Sequence, residues 1–353
     1  MREDELMYKD LEIMAPGTQL HEGLESILKA KTGALIVIGD SPEVLELVNG
    51  GFRIDSEMHP AALYELAKMD GAIVLSSDAK RILYANTQLT PDAMIPSYET
   101  GTRHRTAERV AKQTGQVVIS ISQRRNVISV YKGNWKYVLR EVSVILAKAN
   151  QALSTLEKYR SVFQQSLINL SALEFEDLVT LNDVTTVLHR SQMVTRIAGE
   201  IERYVSQLGS EGRLVRMQLE ELMADIKDEG LLVFKDYYVP GAGATEAWNQ
   251  LAEIDSDDLL NHNLISKALG YGSSISTLEQ SVTPRGYRIL AKIPRLPMPV
   301  IENLVKEYGD LSSVMDASIE ELDEVEGIGE VRARAIKDGL RRLREQALVD
   351  SHI

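Results

Sequence analysis

Between Thr18 and Lys132 the chain alternates helical and strand-like stretches of apolar residues. Leu20, Leu24, Ile27 and Leu28 share one helical face, with Thr18 placed as an N-cap and Gly33 beyond the end, which predicts a helix. A continuous apolar run at Ala34–Ile38 predicts a strand, and further strand-like runs lie at Ala72–Leu75, Arg81–Ala85, Val117–Ile121 and Val127–Tyr131. Helical stretches fall at Ala61–Met69 and Arg103–Thr114. The expected fold over residues 1–145 is an α/β domain, a central mixed sheet flanked by helices.

After Gly133 the pattern changes. No glycine or proline occurs from Asn134 to Ala198, and Leu, Ala, Glu, Gln, Lys and Arg dominate, all good helix formers. The expectation is a long helix from Asn134 to about Leu170, roughly 55 Å at about 1.5 Å per residue, with Phe175–Leu208 and Arg213–Ile226 packing on its apolar stripe. Residues 146–283 therefore read as an all-α linker or spine.

Prolines at 284, 294, 297 and 299 open a third, all-α segment, residues 284–353. Leu290, Ile293, Leu296, Ile301 and Leu304 repeat in spacing as Leu322, Val325, Ile328, Ala333 and Ile336, so one small helix-turn-helix unit occurs twice. The second copy carries Gly327-Ile328-Gly329 at its turn, and the first has Arg295 and Pro297 at the corresponding places.

Composition narrows the function classes. The chain has 44% hydrophobic and 26% charged residues, ordinary for globular protein. With no cysteine there is neither a disulfide framework nor a thiolate metal site, as suits a reducing compartment, and the expected address is the cytoplasm. The stretch Met1–Asp10 is charged and the apolar runs are short, so no signal peptide or membrane anchor is expected. A net charge of -13 opposes nucleic-acid binding along the whole surface, and 5% aromatics leave little for base stacking, so any DNA contact is local.

Three segments carry candidate chemistry. Asp70-Gly71-Ala72 lies where a helix gives way to a strand; by itself it reads as an Asp-Gly turn, and as a site it offers close backbone approach and a carboxylate for a divalent cation or a hydroxyl. Thr102-Arg103-His104-Arg105-Thr106 opens a helix that closes at Gly115, with Thr102 placed as N-cap. Cations at the positive end of a helix oppose its dipole; a bound polyphosphate relieves that conflict, although a solvated basic helix start is the plainer reading. Ser122-Gln123-Arg124-Arg125-Asn126 reads as a polar hairpin turn that adds a hydroxyl and guanidinium charge. There is no Walker loop, no Gly-x-Gly-x-x-Gly after the first strand and no His-x-x-x-His.

In this order, these motifs resemble the diadenylate cyclase domain, and with a helical middle and a C-terminal helix-hairpin-helix the whole chain is similar to the DNA integrity scanning family. The resemblance implies that two facing protomers each bind one ATP and join them into cyclic di-AMP, releasing two pyrophosphates. It implies Asp70 as the ligand of Mg²⁺ or Mn²⁺ and the group that activates or positions the 3′-hydroxyl, Gly71 and Ala72 at the nucleotide, and Leu89 beside adenine. Thr102, Arg103, His104, Arg105, Thr106 and Ser122 would hold the phosphates, with Asp70, Arg103 and His104 as the catalytic set. A homo-oligomer, an octamer with facing cyclase domains, is implied as well, and no membrane partner.

The second C-terminal copy fits the apolar-x-x-apolar-x-Gly-apolar-Gly pattern. Gly327, Ile328 and Gly329 would bring backbone close to DNA phosphate, with Arg332, Arg334 and Lys337 following. The acidic stretch from Asp316 to Glu330 opposes this, which leaves a structural or protein-binding module as the alternative. The resemblance implies double-stranded or branched DNA as partner and DNA-regulated synthesis in an integrity checkpoint. The rival reading of the whole chain is a non-catalytic DNA-binding scaffold with a nucleotide-sensing N-terminal domain.

Overall fold

The computed structural model describes residues 10–350, apart from 225, 227 and 240–242; the charged stretch before residue 10 lies outside them. Two compact units emerge, Met1–Gln151 with Ile201–Met217, and Ala152–Glu200 with Gln218–Ile353.

The first unit is built on eight strands: β1 (Ala34–Ile38), β2 (Val48–Asn49), β3 (Phe52–Glu57), β4 (Ala72–Leu75), β5 (Arg81–Leu89), β6 (Val117–Ser122), β7 (Val127–Lys132) and β8 (Trp135–Val138). They form one sheet in the order β2-β5-β4-β1-β6-β7-β8, with β3 also paired to β5. Only β1 and β4 run parallel, so the sheet is mixed as expected. Among the helices are α1 (Gln19–Lys29), α2 (Pro42–Leu45), α3 (Pro60–Leu66) and α4 (Thr102–Thr114).

Side-chain alternation divides the core into two layers. Ala34, Ile36 and Ile38 of β1, with Ile119 and Ile121 of β6, pack against Leu20, Leu24 and Ile27 of α1 and Leu63 of α3. Leu35, Val37 and Val118 face the other way, onto Ala107, Val110 and Ala111 of α4. A strand covered on both faces reads as a continuous apolar run, which is why β1 was evident.

Three strands were not anticipated. The two-residue β2 has no period to detect, and β3 (FRIDSE) is an edge strand with almost no buried residue. The third, β8, occupies the start of the expected long helix: Lys132 pairs with Trp135 across a two-residue turn at Gly133 (φ 54), and the helix α5 begins only at Val142, running to Glu176. Its 35 residues span about 52 Å.

The expected continuation from Phe175 to Leu208 is interrupted by Asp177 (φ 57), and α6 covers Leu181–Leu208. Thr180 and Asp183 make reciprocal hydrogen bonds at that start, Thr180 N to Asp183 Oδ2 at 2.9 Å and Asp183 N to Thr180 Oγ1 at 3.4 Å, the signature of a helix N-terminus. The next helix, Arg213–Met223, ends short of Ile226.

In the second unit, Leu290, Ile293, Leu296, Ile301 and Leu304 share one buried cluster with Leu322, Val325, Ile328, Ala333 and Ile336. The two copies are thus halves of one core. Both turns use the left-handed region at the same repeat position, Arg295 (φ 63) in the first and Gly327 (φ 85) in the second. The lack of glycine in the first copy therefore did not change its hairpin.

Below this core lies a buried ionic cluster. Arg288 is fully buried, pairs with Glu174, and donates to Ser171 Oγ at 3.0 Å. Asp236 accepts from the backbone N–H groups of Gly286, Tyr287 and Arg288 at 2.7, 2.6 and 3.1 Å. The C-terminal helices and the linker helices are therefore tied together inside one unit.

Candidate active site

A cavity of about 710 Å³ opens in the first unit, within the size range of small-molecule sites. Gly71, Ala72, Leu89, Thr102, Arg103, His104, Thr106 and Ser122 all line it, so four segments scattered over 52 residue positions meet in one place. Arg105 does not line it: its Nε donates to the carbonyl of Glu99 at 3.3 Å, on the outer side of the helix start. Asp70 does not line it either; it is exposed immediately before Gly71, and its side chain makes no hydrogen bond or ion pair among the described residues.

The floor comes from strand ends. Gly71 (φ 117) backs directly onto β5, where a Cβ would come within 2.8 Å of the Asn86 carbonyl carbon and 3.0 Å of Thr87 N. At this point the β4–β5 register shifts between Ala72 and Val74, and Asn86 takes φ 52. A bulge of this kind re-aims side chains, and it leaves Thr87, Gln88 and Leu89 along the cavity wall.

The cationic wall comes from α4. The cap residue is Gly101 and not Thr102; it offers no side-chain cap, and Thr102 is already the first helical residue. Among the described residues no side chain accepts from the first N–H groups of α4, which remain available to an anion. Arg103 lines the cavity without any intramolecular hydrogen bond or ion pair among the described residues, and so do the side chains of Arg124 and Arg125 in the β6–β7 turn. His104 Nε2 is buried and likewise unpartnered. Burial pushes the His104 imidazole below its ordinary pKa; nearby Glu99 opposes this, while Lys136, Arg125 and Arg103 add to it.

Glu99 is the residue that sequence reasoning missed. A carboxylate in an anion site would be repulsive if left alone, but Tyr131 donates to its Oε1 at 3.0 Å and Lys136 pairs with the same oxygen. Burial raises the Glu99 pKa, and the hydrogen bonds from Lys136 and Tyr131 outweigh it, so the net shift is downward and the carboxylate stays ionised. Its charge is matched locally, and the guanidiniums are left as the uncompensated charge. Nothing in the local sequence signals this, because Tyr131 and Lys136 lie more than thirty positions away.

A second cavity, about 490 Å³, lies in the other unit; it is walled largely by Leu167, Ile168, Phe175, Ile289 and Leu343, and no arginine lines it. The described residues contain no group of three or more His, Cys, Asp or Glu placed to hold a metal ion.

The C-terminal candidates divide. Gly327 and Gly329 are exposed at the hairpin, whereas the Ile328 side chain is buried in the core, leaving only its backbone to any ligand. Lys337 Nζ donates to the carbonyl of Ala317 at 2.7 Å and also to that of Met315, so it braces the fold. Arg332 bonds the Gly327 carbonyl and Arg334 pairs with Glu330 at 2.5 Å, both near the surface.

Comparison with known proteins settles the family. Residues 21–135 match the DisA bacterial checkpoint controller nucleotide-binding family, 139–278 the DisA bacterial checkpoint controller linker region, and 310–339 the helix-hairpin-helix motif. The DNA integrity scanning protein DisA of Carboxydothermus hydrogenoformans is 62% identical over 97% of this chain and 98% of its own. The chain belongs to the DisA family. Its N-terminal domain is the diadenylate cyclase domain of that family, and its C-terminal region carries the helix-hairpin-helix.

DisA proteins of Clostridium kluyveri and Clostridium tetani are 59% and 56% identical, over 97% and 100% of this chain and 96% and 98% of theirs. A solved structure of DacA from Staphylococcus aureus aligns with 40% of this chain and 91% of its own at 22% identity and a TM-score of 0.30, which adds nothing to the assignment. No helix among the described residues is long and apolar enough to cross a membrane.

Proposed function

We propose that this chain condenses two ATP molecules into cyclic di-AMP and two pyrophosphates in the cavity beside α4, as a homo-oligomer in which cyclase domains face one another in pairs. The observation that carries this reading is the unpartnered set of Arg103, Arg124, Arg125 and His104 Nε2 around one cavity, in a chain of net charge -13. Four uncompensated donors, two at the start of α4 and two in the β6–β7 turn, are what a triphosphate needs.

In the reaction, the 3′-hydroxyl of each ATP attacks the α-phosphorus of the other, and pyrophosphate leaves in line. Thr102, Arg103, His104, Thr106 and Ser122 hold the phosphates of one nucleotide and neutralise charge as it builds on the leaving group. Arg124 and Arg125 extend that field. Arg105 supports the loop before α4 through Glu99. Gly71 and Ala72 let backbone approach the nucleotide, and Leu89 offers an apolar edge to adenine.

One cavity holds one nucleotide, so ring closure requires a second copy related by a two-fold axis. Four such pairs give the octamer. Asp70 is exposed and unpartnered, a carboxylate that fits a Mg²⁺ or Mn²⁺ ion carried largely by the substrate phosphates, since such an ion takes one or two protein carboxylates. When bound, that ion supplies charge neutralisation at the phosphates; Asp70 itself orients the attacking hydroxyl.

The C-terminal hairpin binds double-stranded or branched DNA through the backbone of Gly327, Ile328 and Gly329 with Arg332 and Arg334, and this binding restrains synthesis. The protein acts in the cytoplasm, at the nucleoid when DNA-bound. As functional modules we read 1–145 as cyclase, 146–283 as linker and 284–353 as DNA-binding.

Product analysis by chromatography and mass spectrometry, with ATP and either metal, tests the chemistry. Wild type should yield cyclic di-AMP, and Asp70→Asn and an Arg103→Ala/His104→Ala double variant should lose it while remaining folded. Wild-type protein that binds ATP yet makes no product with either metal would establish the scaffold reading. For DNA, a Gly327→Ala/Gly329→Ala variant should keep basal synthesis and lose its response to branched DNA.

A further inference from the structure

We propose that Gly33 is a positioning residue for the cyclase reaction, its absent side chain being the seat on which the Arg103 guanidinium rests. The inference deepens the reading above and rests on it, because it acts through Arg103 as a phosphate ligand.

Gly33 immediately precedes β1, two positions before Leu35 on the cavity wall. In sequence it looks like the residue that ends α1, but that work is done elsewhere. Lys31 takes the left-handed conformation (φ 56), and Thr32 N bonds the Ile27 carbonyl at 3.2 Å, the closing bond of the helix end. Gly33 itself has no φ in the left-handed region, so its backbone is open to any residue.

What a side chain would meet first is Arg103. A Cβ at Gly33 would overlap Arg103 Nη1, with Cζ at 2.8 Å and Nη2 at 3.2 Å, and these are the three nearest atoms; no backbone atom is among them. Gly71 differs in kind, since there the obstruction is the β5 backbone. Arg103 has no hydrogen-bond partner among the described residues, so packing over the bare Gly33 backbone is what keeps the guanidinium in the cavity. Even one methyl group would move the far end of a flexible side chain and leave the sheet untouched. A shift of about an ångström at a charged ligand of the transferring phosphates is enough to cost rate heavily.

The test is a double-mutant cycle on the full-length chain with Mg-ATP: wild type, Gly33→Ala, Arg103→Ala and the double variant. Readouts are kcat and KM for cyclic di-AMP formation, ATP affinity by calorimetry, and thermal melting. Gly33→Ala should melt at or above the wild-type temperature and lower kcat/KM at least tenfold; in the Arg103→Ala background it should change ATP affinity less than twofold. A fully active Gly33→Ala protein overturns the proposal, as does an effect that persists undiminished without Arg103. Failure of Gly33→Ala to fold overturns it too, because the glycine would then serve the backbone. If Arg103→Ala is itself indistinguishable from wild type, the assignment of Arg103 to phosphate falls, and the route through Gly33 falls with it.

Discussion

Tyr131 on β7 donates to Glu99 Oε1 at 3.0 Å, tying the loop that ends in Gly101 to the sheet beneath the catalytic cavity. Lys136 of β8 holds the same oxygen. Burial, and then the Glu99 carboxylate, push the Tyr131 phenol well above its ordinary pKa, so it remains a donor at any working pH. From the other side, Arg109 Nε and Lys112 Nζ bind the carbonyls of Ile95 and Pro96, each at 2.9 Å. The helix start is thus held by both its own side chains and the sheet.

Tyr131→Phe should therefore weaken the loop without dissolving it. A hydrogen bond to a charged group is worth about 1.5–3 kcal/mol, and the remaining tethers place the expected loss near the lower end. Denaturant titration and the KM for ATP check this; unchanged values in both would show that Lys136 alone suffices.

His104 makes ATP binding proton-linked. Unliganded, its folded pKa lies below the unfolded value, so in the interval between them the folded chain binds fewer protons, and the contribution to stability is present above that interval and lost as pH falls. Triphosphate near Nε2 reverses the shift, so ATP binding should take up protons and strengthen as pH falls through the ordinary imidazole range. Calorimetry in buffers of different ionisation enthalpy should show this uptake in wild type and not in His104→Gln.

Gly71→Ala combines a left-handed φ with a backbone collision against Asn86 and Thr87. The conformational term alone is about 1–2 kcal/mol, and the collision adds to it. A clearly lowered melting transition, with loss of product, is expected; a wild-type melt would mean that β4 and β5 shift apart at little cost.

Arg288→Met should destabilise the second unit by about 3–5 kcal/mol, the range for breaking a buried ion pair by removing one partner. Glu174 and Asp236 would be left buried without their counter-charge. Adding Glu174→Leu should recover part of the loss. Chemical denaturation of the two variants measures both effects, and equal stability of single and double variants would argue against the pair.

The two hairpins should respond oppositely to exchange at their shared left-handed position. Gly327→Ala is expected to cost about 1–2 kcal/mol, whereas Arg295→Gly should be neutral or slightly stabilising, since strain relief offsets the greater freedom of the unfolded glycine. Thermal melting of both decides this.

Much of the architecture was legible along the chain because burial imposes a period. β1, β4, β6 and β7, α1 and α4, and the repeat from Leu290 to Ile336 all announce themselves by apolar spacing. Local chemistry likewise marked Asp70-Gly71, the run from Thr102 to Thr106, and Ser122. Elements without a buried period stayed hidden, such as the edge strand Phe52–Glu57, and β8 was mistaken for helix because helix-forming residues do not prevent a short turn from returning the chain to a sheet edge.

What the linear order could not decide is which residues meet. Sheet pairing brings Tyr131 and Lys136 to Glu99, the packing of α4 on the sheet sets Arg103 over Gly33 and keeps Arg105 out of the cavity, and helix packing in the second unit turns Ile328 inward and uses Lys337 as a brace. Each of those outcomes depends on distances between residues far apart in sequence. Such distances come from strand register and helix packing, which the whole fold fixes and no single segment encodes.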